Sequence, residues 1–353
     1  MLRNIKRIVV KVGSQLLSGD EGIDREFLTS ISRQISGLVK SGKEVVVVSS
    51  GAVLAGIKAL GFKRKPFSLQ EKQALSAVGQ PYLMSEYREA FKPFGINVAQ
   101  VLITADDLRS RERFTNAQNT LNTLMKLNVI PIVNENDTVS VEEIKIGDND
   151  NLSAHVAVVF RADILIMLTT ASGLYDKDPN RFKDAKLIPV VENIKELESI
   201  CDFKGKTCYG TGGMWTKVEA AFKAVRKGIP VVIAGGREER VILRILEGDR
   251  IGTFFFPQGK LRAKAYRMIY LMEPKGSLVI DKGAVEALVK GGKSLLPSGV
   301  KVVKGYFKKG DLVNILDENG NLIGKGISSC SFEDVKTFKK PCVHRDNLVL
   351  LVE

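Results

Sequence analysis

Apolar, β-branched runs four to six residues long alternate with longer helical segments through the first part of the chain, to about residue 250. The runs fall at 8–12, 45–49, 98–103, 129–133, 164–169 and 231–234. They are apolar at consecutive rather than alternate positions, which predicts parallel strands covered on both faces. Helices are predicted between them near 25–40, 69–91, 111–127, 151–160, 215–227 and 238–247. In the segment after Trp215, Val218, Ala221, Phe222 and Val225 recur at the spacing that builds one apolar helix face. Strands alternating with helices imply an α/β fold with helices on both sides of a mostly parallel sheet.

The texture changes after Phe254-Phe255-Phe256-Pro257. A helical stretch from Lys260 to about Tyr270 leads into short runs broken by glycine, at 277–281, 299–303, 311–316 and 322–327. These predict a small β-rich domain, with Glu318-Asn319-Gly320-Asn321 as a hairpin turn because Asn-Gly tolerates positive φ. A chain of 353 residues exceeds what one core usually organises. The expected division is a large domain over 1–258, a linker over 259–274 and a small domain over 275–353.

Composition narrows the class. With 44% hydrophobic and 26% charged residues the chain resembles an ordinary soluble enzyme and not a disordered polymer. The longest apolar runs, such as Ile164-Leu165-Ile166-Met167-Leu168, are too short to cross a bilayer, so no membrane partner is expected. Lys11 interrupts the apolar N-terminal run and no small-residue cleavage site follows, which reads as a first strand in a cytoplasmic protein. Four cysteines fit reduced thiols, and Cys201 with Cys208 is a weak candidate for a metal pair. Only His155 and His344 are present, which leaves little scope for a histidine metal site or a Ser-His-Asp triad; His155 reads as a packing residue. Residues 259–353 carry 17 Lys and Arg against 10 Asp and Glu, a net +7 of the chain's +13, so a nucleic-acid contact at that end is conceivable.

The usual phosphate loops are absent. Gly292-Lys293-Ser294 and Gly205-Lys206-Thr207 mimic the end of a Walker A loop, but Ala287 and Ile200 stand where its first glycine belongs. No Gly-x-Gly-x-x-Gly follows the first strand. Small and polar clusters at strand ends supply another device. Lys11-Val12-Gly13-Ser14 puts a cation, a glycine and a hydroxyl at the end of the first strand, where backbone N–H groups can approach phosphate; an exposed lysine before a plain turn accounts for these four residues as well. Ser49-Ser50-Gly51-Ala52 ends the second strand in the same manner. Asn134-Glu135-Asn136-Asp137-Thr138 and Gly147-Asp148-Asn149-Asp150-Asn151 form the most polar stretch of an apolar half, the second group at a helix start. Gly210-Thr211-Gly212-Gly213-Met214-Trp215-Thr216-Lys217 opens an amphipathic helix as a candidate anion nest, with Lys217 in a first turn where its charge opposes the helix dipole.

Taken in order, these five clusters resemble the motifs of the glutamate 5-kinases, within the amino-acid kinase superfamily. Gly283-Ala284, the run from Gly292 to Val300, and Val343-His344-Arg345-Asp346-Asn347 resemble the PUA domain that many of these enzymes carry at the C-terminus. The resemblance implies an αβα sandwich plus a PUA domain, and phosphorylation of the side-chain carboxylate of L-glutamate by ATP with Mg2+, the first step of proline synthesis. It implies that glutamate is held by Ser50, Asp137 and Asn149, with Asp137 facing the α-amino group. It places the nucleotide against Lys11, Ser14, Thr169, Thr170 and the stretch Thr211, Gly212, Gly213, Met214, Trp215, Thr216 and Lys217. Lys11 and Lys217 would clamp the transferring phosphoryl group with Asp150 orienting them, and no protein side chain is assigned to the metal. Feedback inhibition by proline, a homo-oligomer (dimer or tetramer) and RNA contact through the PUA domain complete what the resemblance implies. The family usually carries Thr-Asp where this chain has Thr169-Thr170, which puts the nucleotide contact at Thr170 in question. Sibling readings as an acetylglutamate, aspartate or uridylate kinase fit the Asn-Glu-Asn-Asp loop and the appended domain less well, and an RNA-binding factor is the alternative from another class.

Overall fold

Val and Ile at consecutive positions favour extended backbone and need cover on both faces. The computed structural model arranges them accordingly. It describes residues 4–19, 22–62, 66, 68–139, 149–179, 181–193, 197, 213–259 and 261–352. Two units are defined by their contacts, Met1–Lys260 and Leu261–Glu353.

In the first unit, β1 (Arg7–Val12), β2 (Glu44–Ser49), β3 (Asn97–Ile103), β4 (Val129–Glu135), β5 (Ile164–Thr169), β6 (Val190–Val191), β7 (Val231–Gly235) and β8 (Thr253–Phe255) form an eight-stranded sheet in the order β3-β4-β2-β1-β5-β7-β8-β6. All neighbours pair in parallel except β7 with β8. The period of two in a strand then sorts the side chains. Ile8, Val10 and Val12 of β1 and Val45 and Val47 of β2 pack with α1 (Arg25–Lys40), α2 (Ala52–Ala59), α3 (Leu69–Phe91) and α8 (Val241–Glu247). The other layer contains α5 (Arg111–Lys126), α6 (Asn149–Phe160) and α7 (Gly213–Arg226), which pack on one another and on the sheet. Between β3 and α5 lies a short helix, α4 (Ala105–Arg109), opened by a capping box between Thr104 and Asp107. Lys11 belongs to the second face and is 1% exposed, so the reading of it as a solvated lysine fails.

The strand runs read from the sequence are present, each extended by at most two residues at an end. β3 departs in one respect: it is half-exposed, not buried on both faces, because it lies at the sheet edge with one neighbour. β6, β8, α2 and α4 add to the list, all too short for periodicity to reveal.

The second unit comprises α9 (Ala263–Tyr270), β9 (Gly276–Ile280), α10 (Lys282–Val289), β10 (Val300–Gly305), β11 (Leu312–Leu316), β12 (Leu322–Ile327) and β13 (Leu348–Leu350). Its sheet runs β10-β9-β11-β12-β13, antiparallel except for β9 with β11. Leu278, Ile280, Leu288, Val313, Ile315 and Val343 are among its core residues. Residues 261–274, set out above as linker, group with this unit and carry α9, whose Tyr266 and Met268 are buried. α10 was not anticipated; Asp281 opens it by accepting from the Ala284 N–H at 2.8 Å. In the β11–β12 turn only Gly320 takes positive φ, at 85°, while the Asp317 carboxylate accepts from the N–H groups of Asn319 and Asn321. The turn is therefore a glycine bulge held by an aspartate, not a two-residue Asn-Gly hairpin.

Candidate active site

Parallel strands deliver all their C-terminal ends to one edge, and helices that follow begin there with N–H groups unpaired. The ends of β1, β2, β4 and β5 and the starts of α6 and α7 meet in this way.

The first cluster is ionic. Asp150, in the first turn of α6 and with no exposed side-chain surface, accepts from Lys11 Nζ through Oδ1. Its Oδ2 accepts from Thr216 Oγ1 at 2.8 Å and from Lys217 Nζ at 3.1 Å. Burial pushes the Asp150 carboxyl up, but the charges of Lys11 and then Lys217, with the hydrogen bonds of Lys11 and Thr216, outweigh it and hold it below the usual range. Lys217 also donates to the Gly213 carbonyl at 2.9 Å, bending back over the opening of α7. One carboxylate thus fixes two ammonium groups from distant parts of the chain.

The second cluster is a network of amides and hydroxyls. Asn149 Nδ2 donates to the Ser49 carbonyl at 2.6 Å, to Asn134 Oδ1 at 2.7 Å and to Ser50 Oγ at 3.1 Å. Asn134 Nδ2 donates to Gln80 Oε1 at 2.8 Å. Tyr87 Oη donates to Ser49 Oγ at 2.8 Å beneath it. Asp137 accepts from Ser76 Oγ at 2.8 Å, and burial pushes its carboxyl above the usual range against that hydrogen bond. The sequence pattern singled out Ser50, Asp137 and Asn149 but missed Ser76, Gln80 and Tyr87. A signal was there: Ser76, Gln80, Leu83 and Tyr87 share one face of α3, so two polar groups sit on its buried stripe.

On the remaining side, Thr169 is buried at the end of β5 and its carbonyl accepts from Gly236 N–H at 2.8 Å. Thr170 Oγ1 donates to Gln15 Oε1 at 3.3 Å, so the residue in question contacts the loop after β1. Ser14 lies in that loop, its carbonyl accepting from Leu17 N–H. Gly213, Met214 and Trp215 form the first turn of α7, with Trp215 37% exposed. Thr211 and Gly212 lie outside the described residues, as do Gly147, Asp148, Gly205 to Thr207, Cys201 and Cys208. His155 is half-buried beside Lys223, and desolvation, then the Lys223 charge, pull its pKa down to about 3, so it packs as a neutral ring.

Two ammonium groups on one carboxylate at two helix starts suit transfer of a phosphoryl group, and the adjoining polar network suits a small polar acceptor. The fold and this site define an amino-acid kinase: residues 6–235 match the model of the amino acid kinase family and residues 276–345 that of the PUA domain, and the chain belongs to that family. Within it the chain groups with the glutamate 5-kinases. It is 44% identical over 365 residues to glutamate 5-kinase of Thermus thermophilus, covering 99% of this chain and 98% of the relative. It is 43% identical over 370 residues to that of Geobacter sp. strain M21, covering 99% of each. Among solved structures, an isopentenyl phosphate kinase of T. acidophilum superposes with a TM-score of 0.51 at 20% identity, over 71% of this chain and all of that one. A UMP kinase from Bacillus anthracis gives 0.50 at 17% identity, over 73% of this chain and 99% of that one. These two share the fold.

Proposed function

We propose that this protein transfers the γ-phosphoryl group of ATP to the side-chain carboxylate of L-glutamate, giving L-glutamyl 5-phosphate and ADP, the first step of proline synthesis. The observation that carries the reading is Asp150 holding Lys11 and Lys217 together beside the Ser50, Asn134 and Asn149 network. A carboxylate oxygen of glutamate forms the new bond to phosphorus while the bond from the γ-phosphorus to the bridging oxygen breaks and ADP departs. The attacking carboxylate is already ionised, so no general base is required and the work is alignment and charge neutralisation. Lys11 and Lys217 neutralise the transferring group, and Asp150 positions both. Ser14, Thr169, Thr170 and the opening of α7 hold the nucleotide; Ser50, Asp137 and Asn149 hold glutamate, with Asp137 paired to its ammonium group.

Mg2+ belongs to this reading as an ion bound through phosphate oxygens. Among the described residues no group of three His, Cys, Asp or Glu side chains could hold a metal, and the buried carboxylate of the centre is already bound to two lysines. Bound there, the ion would shield phosphate charge. The same reading includes a homo-oligomer, which the half-exposed β3 edge and α5, with Leu121 as its one buried residue, both accommodate. It includes feedback inhibition by proline, whose ammonium and carboxylate match groups of glutamate. A cytoplasmic location follows from the substrates, and no described helix is long and apolar enough to cross a membrane. The PUA match and the net charge of +6 over residues 261–353 support RNA contact by the second unit.

The test is ADP release with ATP and Mg2+, offering L-glutamate, N-acetyl-L-glutamate, L-aspartate and UMP in turn. Release with L-glutamate alone, lost in Lys217→Ala, is expected; another preferred acceptor overturns the substrate, and silence with all four brings the RNA-binding reading forward. N-acetylation removes the ammonium charge and would leave the half-buried Asp137 carboxylate without a cation, so discrimination by roughly 10²-fold or more is expected.

Asp137 carries a further expectation. A half-buried carboxyl with a raised pKa binds its proton more tightly in the folded than in the unfolded state, so it weakens the fold as pH rises through that pKa. At neutral pH Asp137→Asn should therefore raise Tm while glutamate-dependent turnover collapses. In the unaltered protein KM for glutamate should rise as pH falls toward the Asp137 pKa. A lower Tm in Asp137→Asn would contradict the assignment of this charge to ligand binding at the expense of stability.

A further inference from the structure

Four amides around the acceptor site form a chain with a single direction. Asn149 Nδ2 donates to Asn134 Oδ1, Asn134 Nδ2 to Gln80 Oε1, and Gln80 Nε2 to Gln100 Oε1 at 3.2 Å. Gln80, Asn134 and Asn149 are 7%, 2% and 8% exposed, so water does not readily replace a lost partner. The direction is anchored on main-chain groups that cannot flip: the Ser49 carbonyl accepts from Asn149, and Glu135 N–H donates to Asn134 Oδ1 at 2.9 Å. Reversing any one amide would set donor against donor or oxygen against oxygen.

We propose that Gln80 is a positioning residue for glutamate, acting through Asn134 to hold the Asn149 amide with its nitrogen inward and its oxygen toward the substrate. The proposal rests on the placement of glutamate at Ser50, Asp137 and Asn149. With both carboxylates of glutamate ionised, its ammonium group is its only donor. The Asn149 nitrogen faces three acceptors on the protein, so the group it presents to that ammonium is Oδ1. Gln80 supplies the one acceptor shown for Asn134 Nδ2; without it that buried N–H₂ is left unsatisfied, and the relief is rotation of Asn134 away from Asn149. The buried stripe of α3 marks Gln80 in the sequence, but its partner, 54 positions later, is visible only in the fold.

The experiment compares glutamate and ATP kinetics for the full-length protein and for Gln80→Leu, Gln80→Glu and Asn149→Leu. Gln80→Leu is expected to raise KM for glutamate about tenfold, the cost of one unsatisfied buried donor, with kcat and KM for ATP nearly unchanged. Gln80→Glu keeps an oxygen where Asn134 donates, and the exposed Gln100 amide can turn to meet its second oxygen; the buried charge should lower Tm, while KM for glutamate should rise less than in Gln80→Leu. Gln80→Met, which keeps the length and loses the acceptor, takes the place of the leucine variant if that one fails to fold. Unchanged KM for glutamate in the acceptor-less variants, or equal damage to glutamate, ATP and kcat in all of them, overturns the proposal. If Asn149→Leu also leaves KM for glutamate unchanged, the placement of glutamate itself falls; if it alone raises KM, only the relay does.

Discussion

Replacing Lys11 with methionine should lower glutamate-dependent turnover by about 10²–10³-fold, the scale on which one preorganised charge at a developing anion acts. It should also cost up to about 3 kcal/mol of stability, because the buried Asp150 carboxylate is then left with Lys217 and Thr216 alone among the partners described. Lys217→Ala should match it in turnover and not in stability: the Lys217 side chain retains 12% exposure against 2% for Lys11, and without it Asp150 keeps Lys11 and Thr216. The pH dependence separates the two effects. Asp150 has a depressed pKa in the fold, so it contributes stability above its unfolded pKa and loses it as pH falls through the folded value. Without Lys11 that folded value rises toward the unfolded one, the contribution shrinks, and acid unfolding should begin at higher pH. The double variant Lys11→Met/Asp150→Leu removes both charges and should recover much of the stability and none of the activity. Equal Tm for Lys11→Met and the unaltered protein would show that the pair is not buried as described.

That ion pair also marks how far the chain could be read unaided. Period and composition located β1, β2, β4, β5 and β7 because a buried parallel strand needs nothing beyond its own apolar run. The motif order placed Lys11, Asp150 and Lys217 at one edge, since parallel strands bring their ends together whatever the loops do. Which face each side chain takes depends on register, and Lys11 looked as suited to solvent as to a site. The residues of α3 were harder still. Ser76 and Gln80 matter because α3 crosses α2 at close range, and no local pattern announces what a helix 50 or more positions earlier will touch. In the second unit, Asp317 and Gly320 share the turn that the Asn-Gly dipeptide suggested to one pair alone, because a side-chain acceptor competes with the backbone geometry.

The same crossing sets up the largest effect expected from a single methyl group. A Cβ on Gly79 of α3 would lie 1.8 Å from the Ala52 carbonyl oxygen and 2.3 Å from the Gly56 nitrogen, both backbone atoms of α2. Neither can swing aside as a side-chain tip would, so α2 must move bodily. Its N-terminus follows directly on Ser50 and on Gly51, which holds φ at 107°, while Ser76 and Gln80 flank Gly79 on α3. Separating the helices therefore pulls Ser50 from Asn149 and shifts Ser76 from Asp137 and Gln80 from Asn134. Gly79→Ala should cost about 3 kcal/mol, the upper part of the range for overpacking, and lower Tm by about 6–12 °C. KM for glutamate should rise at least about tenfold, with KM for ATP changed far less because Lys11, Thr169 and Lys217 lie on β1, β5 and α7. Gly37→Ala in α1 is the control, since its Cβ would meet nothing within 4 Å and alanine there should stabilise the helix by about 0.5–1 kcal/mol. A Gly79→Ala protein as stable as Gly37→Ala would mean that α2 and α3 have room to part, and that their contact is not what holds the acceptor site in shape.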